Sequence, residues 1–398
     1  MRRVRATLMA ALLIAPTGAV AAEDMRVETL RRLSFPTSLQ FTDSGDMLFV
    51  NERVGRVRII RHGALQAEPF ARIDTTTAGE GGLLGLALHP KFQDGEPWVY
   101  VFYTLPGGKT DRVERLRSDG RRAVAREIVM DRLPSGSQYH HGGILAFGPD
   151  GKLYVSNGEA HDQRRAQDPR ALGGKVYRIN DDGTIPADNP IAGSPTWSWG
   201  HRNSFGLAFD PETGNLWESE NGPASNDEVN LIRRKGNYGW PVVKGRAEDR
   251  RFINPVIDYT NIVVPTGMAF AGEAFGSFAG DLFLGTYGER AIHRLHLSGN
   301  RNSVTRDTVV ARLDEGVVGM TWGPDGLYFT TPSGLQVVRA QGATPSARPT
   351  QTASPSPTPS STPATPPADA DNNAALRALL GLGVLAASWL AARGLGDR

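Results

Sequence analysis

Two adjacent histidines ahead of a glycine pair, His140-His141-Gly142-Gly143, and a carboxylate at Glu159 are the residues of this sequence best suited to moving a proton. An imidazole titrates close to neutral pH, so His140 is a candidate general base toward a hydroxyl group. Glu159 follows the run Tyr154-Val155-Ser156-Asn157-Gly158, where a carboxylate would orient such a base and favour its protonated form. Arg202-Asn203 adds a planar fork of donors and an amide, suited to a carboxylate and a carbonyl oxygen of a ligand. By residue type alone each has a plainer reading. His140 would be a hydrogen-bonding surface residue, Glu159 the cap of a loop, and Arg202 a buried tie between structural units.

The chain has no cysteine among its 398 residues, which excludes disulfides, thiolate metal sites and cysteine nucleophiles. Any metal is then held by oxygen or imidazole, and a hard cation such as Ca²⁺ fits best. Gly222 and Pro223 could present backbone carbonyls to such an ion, with the acidic turn Asp227-Glu228 just beyond; a solvated acidic turn is the alternative. With 44 Lys and Arg against 42 Asp and Glu the formal net charge is +2, so nucleic acid is not an expected partner.

The elements that must position these residues read as all-β. Short β-rich runs alternate with Gly, Pro, Asn and Asp, and no long period-3.6 pattern interrupts them. A turn followed by an apolar strand recurs six times, with Gly45, Gly95, Gly151, Gly214, Gly280 and Gly326 as its turn glycines. The spacing is about 56 residues, enough for a four-stranded blade, so the expected fold is a six-bladed β-propeller over residues 23–341. In a propeller one mouth of the central channel collects loops from every blade, so residues far apart in sequence can share a site.

The two ends have their own signatures. Arg2, Arg3 and Arg5 precede an apolar stretch from Ala6 to Val20 and the small residues Ala19-Val20-Ala21-Ala22, the pattern of a secretory signal over residues 1–22. Residues 342–373 are rich in Pro, Ser, Thr and Ala and read as an extended stalk. Ala374 to Ala392 is apolar apart from Arg377, and at about 1.5 Å per residue it reaches about 28 Å, roughly one bilayer core. Trp389 and the basic tail 393–398 suit a membrane anchor, which places the propeller on the extracellular or periplasmic face.

Taken together, several motifs resemble the soluble aldose dehydrogenases that use pyrroloquinoline quinone (PQQ), the glucose/sorbosone dehydrogenase-like propellers. They are Gly79-Glu80-Gly81-Gly82-Leu83-Leu84-Gly85-Leu86 with His89-Pro90, His140-His141-Gly142-Gly143, and Gly174-Lys175-Val176-Tyr177-Arg178. Trp199-Gly200-His201-Arg202-Asn203, Glu220-Asn221-Gly222-Pro223, Asp227-Glu228-Val229-Asn230 and Asn237-Tyr238-Gly239-Trp240-Pro241 complete the set. The resemblance covers about residues 25 to 340.

That resemblance implies roles. His140 is the base, with Glu159 and Arg202 in the catalytic set. Glu80, Arg202, Asn203, Asn221 and Asp227 surround PQQ, and Gly222 and Pro223 hold a Ca²⁺ that also binds the quinone. Glu228 belongs to a second, structural calcium site, and His141 is structural. The pattern departs from the family in three places. Glu159 stands where glucose-oxidising members have Asp, and Glu80 where many have Gln, a carboxylate that would repel an anionic quinone unless protonated or paired. The Lys and the closely spaced Arg pair of the last two blades are missing, the corresponding stretches reading Thr286-Tyr287-Gly288-Glu289-Arg290 and Gly316-Val317-Val318-Gly319-Met320. Arg290 or His293 are candidate substitutes.

The expected activity is oxidation of an aldose with hydride transfer to calcium-bound PQQ and electrons passed to a separate acceptor. The rivals are a non-catalytic surface propeller that binds a protein or glycan, and a calcium-dependent lactonase, which does not predict the His-Gly-Gly and Asn-Gly-Pro motifs.

Overall fold

A computed structural model describes residues 26–136 and 138–339. The expected leader, stalk, membrane helix and basic tail lie outside these residues; among the described residues no helix is long and apolar enough to cross a membrane.

Six antiparallel sheets follow one another along the chain. The first blade comprises Pro36–Phe41, Met47–Glu52, Arg56–Arg61 and Ala64–Leu65, with Ala71–Arg72 also pairing to its third strand; the second comprises Leu83–Leu88, Trp98–Thr104, Thr110–Ser118 and Ala123–Pro134. Blade three is Gly142–Phe147, Leu153–Asn157, Lys175–Ile179 and Thr196–Trp199, and blade four is Ser204–Phe209, Leu216–Glu220, Asp227–Ile232 and Ile257–Tyr259. Blade five is Pro265–Phe270, Leu282–Thr286, Ala291–Leu297 and Val304–Arg312. Blade six takes Met320–Gly323, Gly326–Thr331 and Gly334–Arg339 from the end of the described chain and Val27–Arg32 from its beginning. That last pairing, with Val27 opposite Val338 and Arg32 opposite Gly334, closes the ring.

The six repeating turns lead from the first strand of each blade into the second. Five of their glycines, at positions 45, 95, 151, 214 and 280, have φ between 69° and 99°, a left-handed backbone that glycine adopts without steric cost. The second strands that follow are buried along their whole length between neighbouring blades. Phe49, Tyr100, Phe102, Trp217, Phe283 and Phe329 are fully buried there, each contributing roughly 1.5–3 kcal/mol by leaving water.

In blades one to five the register slips near the start of the first strand, between Pro36 and Leu39, Leu83 and Leu86, Gly142 and Leu145, Ser204 and Gly206, and Pro265 and Met268. Such bulges increase twist and re-aim side chains. They sit at the mouth where the candidate site lies.

Candidate functional site

The mouth is built twice over from each blade: from the residues just ahead of its first strand and from those just past its second. In five blades the two segments are joined by one backbone hydrogen bond. Arg53 N–H donates to the Phe35 carbonyl at 2.9 Å, Thr104 to Gly82 at 2.9 Å, Gly158 to His141 at 3.0 Å, Asn221 to Asn203 at 3.0 Å and Tyr287 to Val264 at 2.8 Å. Every candidate residue of the sequence from Glu80 to Pro223 lies within or beside these clasps. Close approach is needed at Gly158, where a Cβ would sit 2.1 Å from the His140 carbonyl oxygen.

His140 and Glu159 meet as expected, with Nδ1 2.5 Å from Oε1 and both side chains buried. Burial pushes the Glu159 carboxyl up to about 8, against the pull of Arg202 and with help from Asp162, Glu80 and Glu220. Its other oxygen, Oε2, is buried without a hydrogen-bond partner, a cost that a bound hydroxyl would remove. The backbone N–H of Glu159 donates to the Arg202 carbonyl at 2.9 Å, which ties the pair to blade four.

Glu80 is buried behind them. Its Oε2 accepts the His140 backbone N–H at 2.8 Å and the Asn203 amide at 3.2 Å. Burial raises its pKa, against the pull of His141, of these two hydrogen bonds and of Arg202. The other end of the Asn203 amide accepts Gly142 N–H at 3.1 Å, so both ends of this side chain are used in joining blades two, three and four.

Arg202 lies over the Trp240 ring at 5.3 Å and donates Nη1 to the Asn221 and Gly222 carbonyls at 3.0 and 3.1 Å. The Gly222 carbonyl expected to hold calcium thus holds a guanidinium. The donor chemistry suits a cation, and calcium there would compete with Arg202 for the oxygen. Pro223 is buried in the same turn. Asn221 donates to the Pro265 carbonyl at 3.0 Å. Asp227 accepts Gly222 N–H at 2.9 Å through one oxygen and Val263 and Val264 N–H at 2.9 and 2.8 Å through the other. Asn221 and Asp227 therefore shape the Gly222 turn and its junction with blade five.

Glu228 lies apart, in a row of acids on one face of blade four. It faces Glu220 on one neighbouring strand and Asp258 on the other, with Glu218 opposite Asn230 one step along. Burial and then the nearby Glu220, Glu218 and Asp258 charges raise the Glu228 pKa. His201 joins this row, Nδ1 lying 3.2 Å from Glu218 and 3.0 Å from Glu220. His201, Glu218 and Glu220 are a candidate metal-ligand group, their ligand atoms all within 4.8 Å of one another. His141, expected to be structural, is buried with its Nδ1 3.0 Å from both Asp111 oxygens.

The candidate substitutes for the missing cations are engaged elsewhere. His293 is clamped between Asp307 at 2.8 Å and Glu289 at 2.9 Å, and the exposed Arg290 donates to the Asp314 carbonyl. A cation that the sequence reading passed over is Arg53. It donates to the Gly81 and Thr77 carbonyls at 2.9 Å and also to Gly79, gripping the loop that carries Glu80. Tyr287, in the equivalent position of blade five, is half-buried with its pKa raised to about 12 by burial. Also passed over was His161, whose ring centroid lies 4.1 Å from that of His140. The signal for Arg53 and Tyr287 was the repeat itself, since each is the first residue past a second strand.

A cavity of about 740 Å³ occupies the channel beneath the opposite mouth, bounded by Gln40, His89, Phe92, Phe147, Phe209 and Trp322. None of the site residues lines it. The chemistry is therefore placed by the buried charges and not by the cavity.

A closed six-bladed ring thus carries a buried histidine-carboxylate pair, two buried guanidiniums and the Gly222 turn at one mouth. The chain belongs to the Glucose / Sorbosone dehydrogenase family, whose sequence model matches residues 33–338. It is 30% identical to the aldose sugar dehydrogenase YliI of Escherichia coli, over 77% of this chain and 90% of the relative. A Thermus thermophilus oxidoreductase described as a glucose dehydrogenase superposes with a TM-score of 0.72 at 38% identity, covering 79% of this chain and 99% of that one. The PQQ-bound aldose sugar dehydrogenase of Streptomyces coelicolor superposes with a TM-score of 0.69 at 29% identity, covering 79% and 94%.

Proposed function

We propose that this protein oxidises an aldose at its anomeric carbon, using PQQ and Ca²⁺ bound at the mouth that carries His140, and hands the electrons to a separate acceptor. The observation that carries the reading is the buried His140–Glu159 pair at 2.5 Å beside Arg202. When Nδ1–H is donated to an ionised Glu159, Nε2 holds the lone pair and can accept the anomeric hydroxyl proton. Glu159 then stabilises the imidazolium that forms. Loss of that proton to His140 and of a hydride from the same carbon leaves a lactone. When bound, PQQ supplies the hydride-accepting carbon that no side chain offers, and calcium draws electron density from its carbonyl.

Arg202 and Arg53 are the two buried cations at this mouth suited to the carboxylates of such a ligand. Asn203 and Asn221 hold the blades that carry these groups in register. Gly222 and Pro223 offer the carbonyls for the ion. The same reading includes export by the leader and anchoring by residues 374–392, so a chain ending near Gln341 is expected in the soluble fraction, as separation of membrane and soluble fractions would show.

The test is reconstitution. The purified chain with Ca²⁺ and added PQQ should acquire a stoichiometric cofactor absorbance and reduce an artificial dye when given aldoses. No PQQ uptake at micromolar concentration would overturn the reading and leave a binding propeller in its place.

A further inference from the structure

The loop that follows Glu159 carries two successive non-glycine residues in left-handed backbone, Ala160 at φ 55° and His161 at φ 59°. L-residues adopt this conformation at a cost that glycine avoids, and here it turns the His161 side chain toward His140. The Ala160 N–H donates to the His140 carbonyl at 3.2 Å and the Asp162 N–H to the Glu159 carbonyl at 3.0 Å, which fixes the loop against the catalytic pair.

The His161 ring then lies between two others. It is tilted 58° to His140 with centroids 4.1 Å apart, and stacked at 29° on Tyr139 with centroids 5.7 Å apart. Tyr139 is half-buried and His161 exposed, so both rings are open to a ligand that approaches the buried base. Burial, with the Arg202 charge behind it, lowers the His161 pKa. A neutral imidazole offers one donor and one acceptor nitrogen, and an aromatic face beside it offers apolar contact. That combination matches a pyranose, whose axial hydrogens form an apolar face and whose hydroxyls both donate and accept.

We propose that His161 is a substrate-contacting residue that sets affinity for the aldose, forming with Tyr139 the wall against which the sugar ring packs while its anomeric hydroxyl reaches His140. This rests on the aldose-oxidising reading of the mouth. The wall is a property of this loop, and neither the His140–Glu159 pair nor the cation set requires it.

The experiment compares wild type with His161→Gly, which relaxes the left-handed backbone, and His161→Gln, which keeps a polar end at similar reach. Steady-state kinetics with D-glucose and D-xylose are measured on the PQQ-loaded full chain, PQQ affinity is read by absorbance, and sugar binding to the cofactor-free chain is followed by ligand-observed NMR. His161→Gly should raise KM about 10-fold, the size of one lost neutral hydrogen bond with its ring contact, while kcat changes less than about 3-fold and PQQ affinity holds. His161→Gln should recover part of the loss. A KM within 2-fold of wild type, or a rise in KM that tracks loss of PQQ, overturns the proposal. If the wild type takes up no PQQ, the functional reading falls and the NMR titration decides on His161 alone. Weaker sugar binding by His161→Gly then supports the wall, and equal binding, or none by either protein, overturns it.

Discussion

Two buried histidine-carboxylate pairs stand side by side in blades three and four, each with its partners 19 residues apart, and they have opposite characters. His140 meets one carboxylate, Glu159, at 2.5 Å and has a second imidazole against its ring. His201 is fully buried and meets two carboxylates, Glu218 and Glu220, with its Nε2 2.9 Å from the Ser198 hydroxyl and its ring stacked on Tyr238 at 4.7 Å. Burial alone would lower the His201 pKa, but the two acids win and raise it to about 10. A histidine charged throughout the working range and engaged at both nitrogens is a strut. One that faces a carboxyl whose own pKa is about 8 can exchange a proton with it. Residue types and spacing are the same in the two pairs, and the surroundings of each imidazole set the difference.

The largest effect expected from breaking this comparison is on the strut. His201→Ala leaves Glu218, Glu220 and Glu228 buried without their cation, so denaturant unfolding should show a loss of about 3–5 kcal/mol, as for a broken buried ion pair. The lost strut would also loosen Arg202, because Glu220 accepts the Arg202 backbone N–H.

The next effect is on the proton pair. Glu159→Gln keeps the shape but removes the charge that stabilises the imidazolium, and turnover should fall by roughly 10–100-fold, within the range of general-base contributions. In wild type the base-competent form needs Glu159 ionised, so kcat/KM should rise with pH through about 8, and the variant should lose that limb. The stability sign follows from linkage. A carboxyl raised from 4.5 to about 8 contributes stability that is fully present below the unfolded pKa and is lost as pH rises through the folded one. Glu159→Gln should therefore gain melting temperature relative to wild type as pH goes from about 5 to 9. No relative gain would remove the raised Glu159 pKa from the account.

A smaller effect sharpens the acidic row. If a cation sits among Glu218, Glu220, Glu228 and Asp258, chelation should lower the melting temperature by a few degrees and Ca²⁺ should restore it by mass action, about 2.7 kcal/mol at 100 times Kd. Unchanged melting with and without chelator means that protons alone neutralise the row.

Much of this arrangement was legible in the sequence because it repeats. The turn glycines and the doubly buried second strands mark the blades, and the His-Gly-Gly, Arg-Asn and Asn-Gly-Pro motifs mark the mouth. The closing strand Val27–Arg32 was not legible as a strand of blade six, because it carries none of the turn signal and pairs with residues some 300 positions away. The hydrogen bonds by which Asn203 and Asp227 join neighbouring blades were not legible, because type and motif say nothing of which backbone groups a side chain satisfies. His161 was invisible for a different reason: its place beside His140 depends on two left-handed residues, and nothing in Glu159-Ala160-His161-Asp162 announces them.

If His140 is a base and His201 a strut, substituting the two should have opposite consequences, and His140 is the sharper case. His140→Ala, reconstituted with PQQ and Ca²⁺, should keep the wild-type melting curve to within a few degrees and the cofactor absorbance, yet lose turnover with aldoses by roughly two to four orders of magnitude. Full turnover by His140→Ala, or loss of fold and cofactor together as expected for a strut, would contradict the account.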